Sequence, residues 1–179
     1  GSVTDVIPAY LAREIGRPVM MRVTRDEETY FGRARAGLQG WAKIGFRSDG
    51  RILALDLLLI QDSGSYGRRG DFSSAASIAS LCYQPETMRF RGIPVITNTP
   101  PRGAQRAPGG AQAITMLGPV IDRGARDLGV DRVDMMYINA PADQAVFHPG
   151  PTQLTSCYAK EAVQMGRELF NWDEKKQLS

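Results

Sequence analysis

Val3, Val6, Ile7, Tyr10, Leu11 and Ile15 recur three and four residues apart, the spacing that lines one face of a helix. This predicts a helix over residues 3–15, capped by Thr4 or Asp5, with Pro8 in or near its first turn and Gly16 and Pro18 ending it. The β-branched, apolar run Val19 to Thr24 predicts a short strand, and Arg25-Asp26-Glu27-Glu28 a helical turn. From Gln39 to Arg47 the period changes to two, with Ala42, Ile44 and Phe46 on one side. Ser48-Asp49-Gly50 supplies a turn, and Arg51 to Gln61 returns with Leu53, Leu55, Leu57 and Leu59 facing one way. Ile52, Leu58 and Ile60 are apolar on the other face as well, so the return strand is expected to be covered on both sides.

Beyond the hairpin, Asp62 to Asp71 reads as a loop and Ser73 to Tyr83 as a short helix of small apolar residues. Met88 to Thr97 predicts a further strand, with Pro94 placing it at an edge or a local break in pairing. After a Pro- and Gly-rich run comes a helix carrying Ile114, Leu117, Ile121, Ala125 and Leu128, with Pro119 expected to kink it. Asp131 to Asn139 predicts a short helix and Pro141 to Gln153 a loop. Thr155 or Ser156 is expected to cap a last helix through Tyr158, Ala162, Met165 and Leu169, its apolar face packed into the core and Glu161, Gln164, Arg167 and Glu168 outside. The sum is an α/β (mixed α+β) fold: a mixed sheet containing a β-hairpin, covered by helices at residues 3–15, 111–128 and 156–170.

Composition narrows the chemistry. The 179 residues carry 22 basic and 19 acidic side chains, a net charge of +3, which is too thin a surplus for nucleic-acid binding by charge. Arg68-Arg69 and Arg89 with Arg91 are the local concentrations of basic charge. The longest apolar stretch, Ile52 to Ile60, is too short to span a bilayer and holds Asp56. No export signal is visible, and the opening Gly1-Ser2 suits a cloning scar on a piece cut from something larger. Cys82 and Cys157 lack metal or disulfide spacing and read as reduced, buried thiols of a cytoplasmic protein. His148, the one histidine, reads as structural. Arg69-Gly70-Asp71 is a chance match to an adhesion tripeptide, and Asp62 to Gly67 lacks the Gly-Lys-Ser/Thr ending of a phosphate loop.

The stretch Asn98-Thr99-Pro100-Pro101-Arg102-Gly103-Ala104-Gln105-Arg106-Ala107-Pro108-Gly109-Gly110-Ala111-Gln112 leads from a strand into a helix N-terminus. Backbone N–H groups are unpaired at such a point and the helix dipole favours negative charge there. Gly103, Gly109 and Gly110 would let a ligand approach the backbone, and Arg102 and Arg106 add positive charge, which makes a seat for an anionic cofactor. A loop whose glycines only solve turn geometry is the plainer alternative.

This stretch resembles the segment of xanthine dehydrogenase and aldehyde oxidase large subunits that approaches molybdenum, of the form Asn…Pro…Arg-Gly-(Phe/Pro)-Gly-(Gly/Ala)-Pro-Gln. Gly16-Arg17-Pro18-Val19 leading to Thr24-Arg25-Asp26-Glu27-Glu28, the turn Asp49-Gly50-Arg51-Ile52 and the segment Gly129 to Asn139 are similar too. The resemblance implies a molybdenum hydroxylase with a molybdenum–pterin cofactor, a small-molecule substrate, water as the oxygen source, and electrons leaving through iron–sulfur centres to FAD on partner subunits or domains. It places Arg106 near the metal through its backbone, and Gln105, Ala107, Gly109 and Gly110 against the cofactor. Pro108 stands where purine-oxidising members carry a phenylalanine, and ungapped counting puts Ser74 where they carry a substrate-binding arginine. Proline offers no π-face and serine no charge-assisted contact, which points from xanthine towards an aldehyde or an aromatic heterocycle.

On the same resemblance, residues 1–179 are part of a molybdenum-cofactor-binding domain, with the loop 98–112 facing the cofactor and a helical part over 111–179. The remaining molybdenum-subunit segments, the base glutamate among them, would come from elsewhere, so the chain alone would be inactive. Glu27, Glu28, Glu86, Glu161, Glu168 and Glu174 all read as surface charge. A molybdenum-dependent hydratase of the same fold and a non-catalytic scaffold subunit are the alternatives.

Overall fold

The computed structural model describes residues 3–32, 34–65, 70–148 and 150–178. Arg68 and Arg69, and with them the start of the tripeptide match, lie outside the described residues. The centre is a three-stranded sheet in the order β1-β2-β3, formed by β1 (Leu38–Phe46), β2 (Ile52–Asp62) and β3 (Thr87–Val95). The expected hairpin is present: β1 and β2 pair antiparallel, with Ala42 opposite Leu57 and Ile44 opposite Leu55, and Gly50 turns the chain at φ +94°. β3 adds parallel to β2, with Phe90 beside Leu57 and Pro94 beside Gln61, and lies at the sheet edge, where a residue without N–H is tolerated.

A parallel neighbour needs a crossover, and α3 (Asp71–Tyr83) provides it. Its small residues Ala75 and Ala79 are fully buried and let it lie close to the leucines of β2 and to α4 (Gly110–Leu128). Leu57, Leu59, Ala75, Ala79, Ala113 and Leu117 form the middle of the core. α5 (Arg132–Asn139) closes the end near the hairpin turn: the buried Asn139 donates to the carbonyl of Gly50 and accepts from the N–H of Ile52, both at 2.9 Å. α4 runs as one element through Pro119.

Several expectations are corrected. α1 (Val3–Ile15) begins at Val3, so Thr4 and Asp5 lie inside it rather than capping it. Val19 to Thr24 form no strand with any of the described residues, and Met20 is 87% exposed. Thr24 instead caps α2 (Arg25–Phe31) in a reciprocal capping box with Glu27. The loop at 141–153 contains a two-residue hairpin, β4 (Val146–Phe147) with β5 (Thr152–Gln153). α6 (Ala159–Phe170) starts at Tyr158 with no side-chain cap, and none of its residues is buried. It leans on α5 and on α7 (Trp172–Lys175), so core packing does not account for its amphipathic face. Arg167, expected outside, is half-buried between Asp134 and Asp173. The sheet is therefore covered by α3 and α4 on one face, and neither α1 nor α6 lies on it. Its other face, with Leu58 and Ile60 half-buried and Trp41 exposed, is only partly covered. Both cysteines are free and half-buried rather than buried.

Candidate functional site

Because β2 and β3 run parallel, both leave the sheet at the same rim, and the loop 98–109 grows from that rim. Asp62, the last residue of β2, organises its first half. The carboxylate accepts from the hydroxyls of Thr97 and Thr99, from the N–H of Gly64 and from Arg102, with Nε and Nη2 at 3.0 and 2.9 Å. The Thr97 hydroxyl above all, then Gly64, Thr99 and Arg102, holds this carboxyl below the ordinary range against the opposing effect of burial. Backbone bonds complete the anchoring: Ser63 N–H donates to Val95, Thr97 to Gly64, Arg102 to Ser63 and Gly103 to Ala34. Arg102 was expected to lend charge to a ligand. Its guanidinium is instead half-buried and neutralised by Asp62.

The second half of the loop is held from behind. Arg35 Nη2 donates to the carbonyl of Arg106 at 2.6 Å and Nη1 to that of Ala107 at 3.3 Å. Gln112, in the first turn of α4, donates through Nε2 to the carbonyl of Ala36 at 2.9 Å. Ala107 adopts φ +55° and Gly109 φ +72°, so the chain turns sharply just before the helix. A Cβ on Gly109 would lie 1.9 Å from the carbonyl oxygen of Asp71 and 2.8 Å from the nitrogen of Ala75. Gly109 and Gly110 are buried, and their missing side chains make room for α3. The same close approach sets the helical turn that carries Ser74 against the residue following Pro108. Ser74 and Pro108 are both half-buried. A cavity of 430 Å³ between α3 and β3, lined by Ser73, Ala76, Ser80, Met88, Phe90 and His148, includes neither of them.

Ala104, Gln105, Arg106 and Ala107 form the exposed crest. Among the described residues, the N–H groups of Arg106, Ala107, Gly109 and Gly110 have no protein acceptor, and the Arg106 guanidinium has no ion-pair partner. Beneath the crest, two buried polar atoms lack partners: Asp71 Oδ2 and Gln112 Oε1. Burial pushes the Asp71 carboxyl above the ordinary range, and the charge of Arg35 opposes that rise. Asp62, Arg35, Asp71 and the Oε1 of Gln112 were not singled out from the sequence. The one signal for Asp62 is an acid at the end of a mostly apolar strand, and Arg35 carries none.

Residues 2–140 match the family described as the molybdopterin cofactor-binding domain. The chain belongs to that family. Among its relatives, a xanthine dehydrogenase molybdenum-binding subunit of Escherichia coli is 24% identical over 183 residues, a match covering 98% of this chain and 24% of that protein. Aldehyde oxidase 1 of Bos taurus is 30% identical over 162 residues, covering 87% of this chain and 12% of that protein. The chain thus spans a quarter or less of these relatives. Quinoline 2-oxidoreductase from Pseudomonas putida 86 has the same fold, with a TM-score of 0.78 at 23% identity over 96% of this chain and 23% of its own.

A molybdopterin-binding family member should offer bare donors to an anionic, heteroatom-rich cofactor, and the crest does. Among the described residues, unpaired amides gather where the loop enters α4, the Arg106 guanidinium beside them has no ion-pair partner, and Gln112 adds an unsatisfied acceptor below. No group of three or more His, Cys, Asp or Glu residues that could hold a metal ion occurs among the described residues. No described helix is long and apolar enough to cross a membrane.

Proposed function

We propose that this chain is the cofactor-facing part of a molybdenum hydroxylase, one section of a larger or split subunit, oxidising an aldehyde or an aromatic N-heterocycle with water as the oxygen source. The observation that carries the reading is the set of backbone N–H groups of Arg106, Ala107, Gly109 and Gly110, without acceptors among the described residues, at the entry to α4 in a chain of the molybdopterin-binding family. When bound, the molybdenum–pterin group supplies the two-electron redox chemistry.

The chain's own residues bind and orient. Gln105, Arg106, Ala107, Gly109 and Gly110 border the cofactor, with Arg106 nearest the metal and acting through its peptide. Pro108 and Ser74 line one side of the substrate pocket. A wall of proline and a small hydroxyl gives a flat substrate neither a stacking ring nor a cationic anchor, which favours less polar substrates over purines. The base glutamate comes from another segment, in keeping with the exposure of Glu27, Glu28, Glu86, Glu161, Glu168 and Glu174. Iron–sulfur and flavin units on partner subunits or domains take the electrons onward. The two free thiols suit a cytoplasmic setting.

The test is made on the complete protein that contains this segment. Metal and pterin analysis should find molybdenum bound, and adding an aldehyde or N-heterocycle should reduce an artificial electron acceptor. Water addition to the substrate without acceptor reduction would replace the hydroxylase reading with a hydratase one. Absence of both metal and pterin would leave a scaffold.

A further inference from the structure

Ala107 stands in the left-handed region at φ +55°, a conformation that an alanine adopts only when its surroundings hold it there. Arg35 is what holds it. One guanidinium donates to two successive carbonyls, those of Arg106 and Ala107, and so grips the peptides on both sides of the Ala107 Cα. The fork of a guanidinium suits this task, because its donors are fixed in one plane.

The grip has a directional consequence. In a trans peptide the N–H points opposite to the C=O of the same unit. With the Arg106 carbonyl turned toward Arg35, the N–H of Ala107 points the opposite way, where it has no acceptor among the described residues. The Ala107 carbonyl meanwhile also accepts the N–H of Ala111 at 3.4 Å, which ties the grip to the first turn of α4.

We propose that Arg35 is a positioning residue for the cofactor: it locks the strained turn at Ala107 and aims that residue's amide at the molybdenum–pterin group. This rests on the crest being the cofactor seat, and the test separates the two ideas. In the complete protein, Arg35→Met removes the donors while keeping much of the bulk, and Arg35→Lys keeps the charge but not the fork. Molybdenum per protein and hydrogen exchange at Ala111 and Ala113, compared with β2, are the readouts.

Arg35→Met should lower molybdenum occupancy about tenfold, the scale of losing a residue that orients a metal group's ligands. Exchange at Ala111 and Ala113 should rise about tenfold while β2 stays at its wild-type rate, as in a local rather than a global opening. Arg35→Lys should fall between Met and wild type in both measurements. Wild-type molybdenum content in Arg35→Met overturns the proposal whatever exchange does, and so does a uniform rise of exchange in β2 and α4. If the wild-type protein holds no molybdenum or pterin, the seat itself is wrong. Exchange at Ala111 then still decides whether Arg35 grips the turn, an unchanged rate disposing of that as well.

Discussion

Two aspartates at the loop rim behave oppositely, and the difference is one of partners. Asp62 gathers hydroxyl, amide and guanidinium donors, which favour its ionised form. Its folded-state value lies below the unfolded one, so its contribution is present above about pH 4 and is lost as pH falls through the lowered value. Replacing Asp62 with Asn should cost about 2 kcal/mol at pH 7, since it weakens several charge-assisted bonds and leaves Arg102 half-buried without its counter-ion. Urea unfolding at pH 7 and pH 3 would check this, the difference between variant and parent shrinking at the lower pH. Asp71 is 8% exposed with one oxygen unpartnered, and burial raises its value. Here the sign reverses: stability is greatest below about pH 4 and is lost as pH rises through the raised value. Asp71→Asn should therefore raise the melting temperature at pH 7 and flatten its dependence on pH in that window.

At the scale of elements, alternation with a period of two was enough to read the hairpin, its turn and the inward leucines, because one buried face forces that pattern. The edge position of β3 was legible from Pro94 for an equally direct reason. The apolar run at Val19 to Thr24 misled, since a strand exists only if another edge accepts it. The helical spacing of α6 was real, but spacing shows that a face is apolar without showing what it meets. In the loop, the glycines and the helix entry were visible, whereas Arg35 and Asp62 act on residues more than thirty positions away, and no local pattern records such a partnership. Two substitutions test the element packing. Gly109→Ala forces a Cβ against the Asp71 carbonyl in a positive-φ position and should cost more than about 3 kcal/mol by chemical denaturation, with α3 and α4 separating. Leu57→Ala, at the centre of β2 and fully buried, should cost about 3 to 4 kcal/mol while leaving the loop's hydrogen bonds in place.

For the whole molecule, the buried core lies between the sheet and α3–α4, while much apolar surface points outward. Val6 is 72% exposed, Leu169 81% and Met165 61%, and α1 lays no face on the sheet. Exposed apolar area of this kind fits the proposal that the chain is one section of a larger subunit. On the proposed reading, the 179-residue chain produced by itself should bind an apolar dye and associate in light scattering, and both signals should fall when the rest of the proposed subunit is supplied.

The parallel pairing of β2 with β3 also separates two design problems. Residues 63–65 and 98–109 emerge at one rim, and the Ser48-Asp49-Gly50 reversal lies at the other. The exposed crest at residues 104–107 can be rewritten without shifting a strand by one position, while the opposite rim keeps the scaffold in register.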